Sequence, residues 1–345
     1  MRLSIVILNW NGSHHLRRFL PSVLKHSNYD WAEIVVADNF STDDSCKIVE
    51  QEFPDIRLLR LDRNWGFAEG YNQALKGNNA QYILLLNSDV EVTENWLQPI
   101  VELMDSDPLI GACQPKIRSL QMPAEFEYAG ASGGFIDRFG YPFCRGRIVN
   151  VLEQDLGQYD KPVAVFWASG AAMAVRGKTW HEMGGFDPDF WAHMEEIDLC
   201  WRMKNRGFQV AVCPDSKVFH LGGGSLSYGS PHKIYLNFRN NLFLLYKNLP
   251  KGMLLNTLLV RMILDGIAAI QFLLTGQFKA FVQVLGAHRD FYKSLKKLRK
   301  KRGELLPLTS TNKHREIYNG SIIFDFFIAK KRKFSSLNFS THEID

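Results

Sequence analysis

Tyr82-Ile83-Leu84-Leu85-Leu86-Asn87-Ser88-Asp89 is the stretch on which the reading of the chain turns. Five uncharged residues, too apolar to lie at a surface, run straight into three polar ones, so the segment reads as a buried strand that delivers Asp89 to the edge of a sheet. The same pattern recurs upstream. Leu3 to Leu8 is a strand leading into Asn9, Glu33 to Ala37 leads into Asp38, and Ile56 to Leu61 leads towards Arg63 and Asn64. Between these runs the spacing turns helical. Leu16, Phe19, Leu20, Val23 and Leu24 share one face, with a kink expected at Pro21. Ser41 with Asp44 predicts a capped helix ending before Pro54, and Phe67 to Leu75 a short third helix. Alternating strands and helices define an α/β fold with a parallel central sheet. In such sheets ligands bind beyond the carboxyl ends of the strands, so Asn9, Asp38, Arg63, Asn64 and Asp89 are expected to share one site.

The chain has 345 residues and 46% hydrophobic content, enough for one large domain and an appendage and far from a disordered composition. The formal net charge of +5 is modest, with the basic excess near the C-terminus. Five cysteines form neither a CxxC pair nor a zinc-finger spacing, and their odd number points to a reducing cytosol rather than a disulfide framework. Leu3 to Leu8 is too short for a signal-peptide core. From Gly130 to Lys161 the pattern loosens around several glycines, as expected of a loop or flap over the site. Val163 to Arg176 is regular again. A helix follows from Glu195 to Arg206, closed by Gly207, then a strand at Gln209 to Cys213 and the glycine-rich run His220 to Gly224. Past about residue 240 the alternation gives way to long apolar helices. The expected units are therefore 1–240 as the catalytic domain, 241–302 as a helical extension with a basic end, and 303–345 as an irregular tail.

The candidate chemistry sits at four places. The Asp89 carboxylate could ligate a hard divalent cation, although a lone strand-end Asp is ordinarily a turn or cap residue. His220 offers an imidazole beside backbone that can approach a diphosphate closely. In Glu195-Glu196-Ile197-Asp198, three acids crowd one helical turn. The helix dipole and an Asp198–Arg202 pair explain much of this, but the adjacent Glu195 and Glu196 should raise one another's pKa, which suits a general base. Asp38 at its strand end could accept a hydrogen bond from a nucleobase or ribose. Neither GxGxxG nor GxxxxGK[ST] occurs, which removes the dinucleotide and P-loop readings and leaves a metal to neutralise any diphosphate.

Taken together, residues 3 to 240 resemble the family 2 glycosyltransferases, in particular the subgroup of rhamnosyl- and galactofuranosyl-transferases. The matching segments are Ser4–Gly12, Asp38–Ser45, Asn64–Asn72, Leu86–Asp89, Ala168–Met173, Gly184–Asp187, Glu195–Arg202 and His220–Ser225. The resemblance implies the GT-A fold, with a mostly parallel central sheet and here a C-terminal helical segment. The implied reaction is inverting transfer of a sugar, rhamnose or another hexose, from a nucleotide-diphosphate donor to a hydroxyl of a cell-envelope glycan or lipid-linked precursor. It implies that Asp38 contacts the nucleobase, that Asn9, Arg63 and Asn64 border the nucleotide, and that Asp89 and His220 hold Mg²⁺ or Mn²⁺. Glu196 matches the presumed catalytic base, with Asp198 supportive. Two positions depart from the family pattern. Asn87-Ser88-Asp89 stands where Asp-x-Asp is usual, leaving Asn87 to orient ribose or water, and Glu occupies a base position where Asp is common. The longer side chain keeps Glu195 as a second candidate for the base.

Met253 to Leu274 is apolar but carries Arg261 and Asp265, which leaves an uninterrupted stretch shorter than the ~20 residues of a spanning helix. It reads as interfacial or packed. Behind it, Lys293, Lys296, Lys297, Arg299, Lys300, Lys301 and Arg302 form a basic run suited to anionic lipid, which suggests a peripheral protein on the cytoplasmic face of the cell membrane. Nucleic acid is not an expected partner, because no binding module presents the basic run. Two rivals remain: a sugar-1-phosphate nucleotidyltransferase, which should carry an N-terminal glycine-rich loop that Asn9-Trp10-Asn11-Gly12 does not supply, and a catalytically inactive scaffold of envelope assembly.

Overall fold

The computed structural model describes residues 1–222 and 230–344. Strands and helices alternate through its first part: β1 (Leu3–Asn9), α1 (Ser13–His26), β2 (Ala32–Asp38), α2 (Ser45–Glu52), β3 (Arg57–Arg60), α3 (Gly66–Ala74) and β4 (Tyr82–Asn87). β1 and β4 are buried along nearly their whole length, which is why they read as continuous apolar runs rather than alternating ones. β1 pairs in parallel with β2 on one side and β4 on the other, and β3 extends the sheet past β2. The strand order 3-2-1-4 therefore switches direction between β1 and β4, opening a crevice above their carboxyl ends. Register fixes what lines it: Asn9 lies opposite Asp38, and Leu8 opposite Asn87.

Beyond β4 come β5 (Val90–Val92), α4 (Leu97–Ser106) and β6 (Ile110–Ser119). Next are the short strands β7 (Gly134–Asp137), β8 (Pro142–Cys144), β9 (Arg147–Ile148) and β10 (Val151–Leu152), then β11 (Val163–Val165), β12 (Ala172–Arg176), α5 (Gly177–Met183), α6 (Glu195–Asn205) and β13 (Gln209–His220). β12 runs antiparallel between β4 and β6, while β13 lies parallel to β6 and antiparallel to β5 and β11. The main sheet is thus parallel where the alternation was legible and mixed beyond it.

Pro21 lies inside α1, whose Leu16, Phe19, Leu20 and Val23 are buried. Several expectations are corrected. The second helix begins at Ser45, not at a Ser41 cap; Ser41 instead accepts hydrogen bonds from the Asn11 backbone and the Asn9 side chain. Gly130 to Lys161 is no loose flap. Its strands β7 to β10 form a second, small sheet, and Phe135, Phe143, Cys144 and Ile148 are fully buried in the core. The strands are too short for period-2 alternation to register in the sequence.

The C-terminal third consists of α7 (Pro231–Asn248), α8 (Lys251–Leu274), α9 (Phe278–Leu305), β14 (Ile317–Tyr318), α10 (Ile322–Phe327) and β15 (His342–Glu343). α7 runs unbroken through residue 240, where the boundary was expected. The stretch 303–345, expected to be irregular, is built into the body instead. β14 pairs with β7, β15 pairs with β11, and Phe334 packs against Phe135 and Phe143 while its amide donates to Glu153 at 2.9 Å.

Candidate active site

The crevice has a polar floor supplied by strand ends. Asn9 Nδ2 donates to Asp38 Oδ1 and to Ser41 Oγ, each at 3.3 Å, while Asp38 Oδ2 accepts from the Ser41 amide at 2.9 Å. Both Asn9 and Asp38 are buried, and Asn9 Oδ1 finds no partner among the described residues. Asn39, which sequence reasoning passed over, knits this corner to α3: its side chain donates to Gly66 O and Asn64 Oδ1 and accepts from the Trp65 amide. Arg63 and Asn64 lie at the exposed rim, with the Arg63 guanidinium 3.6 Å from the Trp65 ring centroid and Asn64 bonded to the Gly66 amide. Asn87 closes β4, half-buried.

A second pole lies at the end of β4, where β13 returns beside β5. His220 Nε2 stands 3.1 Å from Asp89 Oδ1, and His220 Nδ1 stands 3.3 Å from Glu127 Oε2. Burial alone would lower the His220 pKa, but the hydrogen bonds and charges of the two carboxylates outweigh it and push it up to about 10. Burial likewise disfavours ionised Asp89, yet His220 holds its carboxyl below the usual range. Two ligands on adjacent octahedral positions at ~2.1 Å from a cation stand about 3 Å apart, so Asp89 and His220 fit one hard divalent ion in place of the shared proton. Among the described residues, no set of three or more His, Cys, Asp or Glu side chains is arranged to hold an ion alone, so diphosphate and water oxygens would complete the shell. Gly223, Gly224 and Ser225 of the expected glycine-rich run lie outside the described residues.

The third pole is the entrance to α6. Three of the four residues before Glu195 have positive φ: Trp191 (62°), His193 (67°) and Met194 (73°). Such backbone costs roughly 1–3 kcal/mol per residue and persists only where neighbours over-determine it. α7 provides the constraint. The Asn240 amide donates to Phe190 O at 2.9 Å, Ala192 O at 2.9 Å and His193 O at 2.7 Å, while Arg239 donates to Asp189 O and Phe190 O. Trp191 folds over Gly66, where a Cβ would come within 2.6 Å of the indole nitrogen, so that position needs glycine for closeness as well as for its φ of 73°.

Glu195 is buried and Glu196 half-buried, and each has one carboxylate oxygen without a partner among the described residues. Burial pushes Glu196 up to about 7, while burial and then the neighbouring Glu196 raise Glu195 well above the carboxylate range. Both shifts favour the protonated form relative to an exposed carboxylate, and the Glu196 value near neutrality suits a group that accepts a proton. Glu196 faces Gly170, with its Cβ 4.0 Å from where a side chain would begin. Tyr71 lies between the poles. Its phenol is raised by burial and then by the charges of Asp89 and Glu195, and it donates to Leu86 O at 3.2 Å.

Asp198 is different. Fully buried, it accepts from Arg202 Nε at 2.8 Å, Lys247 Nζ at 2.8 Å and Asn248 Nδ2 at 2.9 Å. Held by these three donors, it braces α6 against α7. Lys247 also reaches Asp187 at 2.5 Å, and Lys301 of α9 binds both Asp187 and Asp189.

The sheet order and its switch-point crevice are those of the GT-A architecture. Residues 4–169 match the family model "Glycosyl transferase family 2", and the chain is a glycosyltransferase with a family 2 domain. It is 26% identical over 239 residues to N-acetylglucosaminyl-diphospho-decaprenol L-rhamnosyltransferase of Mycobacterium tuberculosis, covering 63% of this chain and 75% of that protein. Among solved structures it resembles TarS 1-349 of S. aureus in complex with UDP-GlcNAc, with TM-score 0.56, 16% identity, and coverage of 87% of this chain and 84% of that one. It also resembles the mannosyltransferase PcManGT of Pyrobaculum calidifontis in complex with GDP-Man and Mn2+, with TM-score 0.51, 14% identity, and coverage of 90% and 86%.

Proposed function

We propose that the chain transfers a sugar, with inversion, from a nucleotide-diphosphate donor to a hydroxyl of an envelope glycan carried on a polyprenyl lipid, at the cytoplasmic face of the membrane. What supports the reading is that Asp89, which meets His220, and the Glu195–Glu196 pair both lie near the buried Tyr71, close enough for the charges of Asp89 and Glu195 to raise its phenol. Rhamnose is the favoured donor sugar, on the likeness to the mycobacterial rhamnosyltransferase.

Asp38 and Asn9 would receive the nucleoside, Asn9 through its free Oδ1, with Arg63 and Asn64 at the rim. Asp89 and His220 would hold Mg²⁺ or Mn²⁺, which when bound neutralises the charge gathering on the departing diphosphate. Glu196 takes the acceptor hydroxyl's proton as that oxygen forms its bond to the anomeric carbon. The bond from that carbon to the diphosphate breaks on the opposite face, and the configuration inverts. Burial and the neighbouring Glu196 favour the neutral form of Glu195 beside the base. The strained Trp191–Met194 segment fixes the direction of the Glu196 carboxylate.

The test is donor binding and turnover by the purified chain across UDP-, dTDP- and GDP-sugars with Mg²⁺, Mn²⁺ or EDTA, alongside Glu196→Gln. Metal-dependent selection of one donor, with transfer but not binding lost in the variant, is the expected result. A folded protein that binds no donor would put the scaffold reading ahead.

A further inference from the structure

α8 is long and apolar enough to cross a membrane by length and composition, with a mean hydropathy of 1.8, yet it lies along the protein. Between Lys251 and Lys279 the only charges are Arg261 and Asp265, and both turn inward. Arg261 donates to Asp265 at 2.7 Å and to Asn241 at 2.5 Å and sits 4.0 Å from the Tyr141 ring centroid, while His288 of α9 reaches Asp265 at 3.1 Å. The two charges read from sequence as interrupting the apolar run thus leave the outer face untouched. On that face Leu255, Leu259, Ile263, Ile267, Ile270 and Leu274 are each more than half exposed, spaced three or four residues apart along one stripe. A helix with a polar, protein-bound inner face cannot be surrounded by lipid, but it can rest on lipid with the outer one.

α9 carries a matching stripe that changes character along its length. Exposed Phe278, Val282 and Leu285 lead to exposed Tyr292 and then to exposed Lys293, Lys296 and Lys300 on the same helical face. Of the basic run, Lys297 and Lys301 are spoken for, since they turn the other way onto Asp189 and Asp187. A second copy of the chain would bring these like-charged lysines together, whereas anionic headgroups complement them.

We propose that the outer faces of α8 and α9 dock the protein in the plane of an anionic bilayer, with the apolar stripe in the acyl boundary and Lys293, Lys296 and Lys300 at the phosphates. The proposal concerns where the enzyme sits and stands apart from the reading of its active site. α9 then has two sides, one on lipid and one holding the aspartates that lead into the catalytic helix. A lipid-borne acceptor would meet the crevice from that direction.

The experiment is cosedimentation of the full chain with vesicles of phosphatidylcholine alone and of equal parts phosphatidylcholine and phosphatidylglycerol, in low and physiological salt. The wild type binds the mixed vesicles. The exposed triple variant Ile263→Gln/Ile267→Gln/Ile270→Gln binds either kind roughly tenfold or more weakly. Lys293→Gln/Lys296→Gln/Lys300→Gln loses roughly fivefold per lysine on mixed vesicles only. Unchanged melting of both variants separates docking from folding. Failure of the wild type to bind mixed vesicles, or wild-type binding by the isoleucine variant, overturns the proposal. So does a wild-type dimer that the isoleucine variant dissociates, which would make the face a contact between copies.

Discussion

The donor side and the base side of the crevice are built on opposite plans. Asn9 and Asp38 stand at the ends of strands locked into a parallel sheet and bond to each other and to Ser41, while Asp89 follows β4 and meets His220 where β13 pairs with β5. Glu195 and Glu196 follow a strained loop that no regular element supports from within. It is clamped from outside by Asn240, Arg239, Lys247 and Lys301, side chains that belong to helices beyond the sheet. The donor side is thus rigid by topology, and the base side is rigid only through long-range polar contacts. A substitution on the donor side should weaken binding, whereas one on the base side should misdirect the proton acceptor.

The sharpest break is Glu196→Gln, which should lower kcat by about 10³-fold while leaving donor KM nearly unchanged. In the wild type, kcat should rise with pH through a limb near the raised Glu196 value of about 7, and this limb should vanish in the variant. A limb at the ordinary carboxylate position would remove the assignment. Asp89→Ala should cost roughly 10²-fold and abolish the response to added Mn²⁺ or Mg²⁺, as EDTA does for the wild type. Retained metal activation would separate Asp89 from the ion.

Asn240→Ala touches no substrate, so it tests the comparison most directly. Release of three carbonyls should reduce kcat by about tenfold or more with donor Kd unaltered by calorimetry. A change confined to Kd would make the loop part of the donor site. Asp38→Asn should do the reverse, raising donor KM up to roughly tenfold at similar kcat.

The smallest effect concerns stability. Glu195 binds its proton more tightly folded than unfolded, so its contribution is complete below the unfolded carboxylate pKa and is lost as pH rises through the raised folded value. Glu195→Gln should therefore melt on the order of 2–4 °C higher than wild type near pH 8 and alike near pH 4. A lower melting point throughout would mean that the carboxyl is needed as a hydrogen-bonding group.

The same contrast explains what was legible in the sequence. Strand-end positions announce themselves because an apolar run must stop where the sheet does, so Asn9, Asp38 and Asp89 could be placed from pattern alone. Glu195 and Glu196 stood out by adjacency, but the order of their pKa values came only with burial. Asn240, Lys247 and Lys301 were hidden because each acts on a loop about 47 to 114 residues away, and nothing local in an apolar or basic helix marks the residue that turns inward. Lys301 was in fact read as lipid-facing. Glu127 was missed for a related reason, since it lies between β6 and β7 and nothing local marks it as facing His220, 93 residues further on. The small sheet and the last forty residues escaped because elements of two to six residues carry too few positions for a period to emerge.

The pairing of β14 with β7 and of β15 with β11 bears on the order in which the molecule comes into being. A ribosome releases the strand ends Asn9, Asp38 and Asp89 first, then Glu195 and Glu196, then His220, then the amphipathic helix pair, and only afterwards the segment that closes both sheets. Until residue 343 has emerged, β11 lacks its outer neighbour, and the aromatic pocket around Phe135 and Phe143 lacks Phe334. Nascent chains should therefore reach a membrane surface before they can finish folding, and nicking near residue 330 should unravel the core rather than trim a tail.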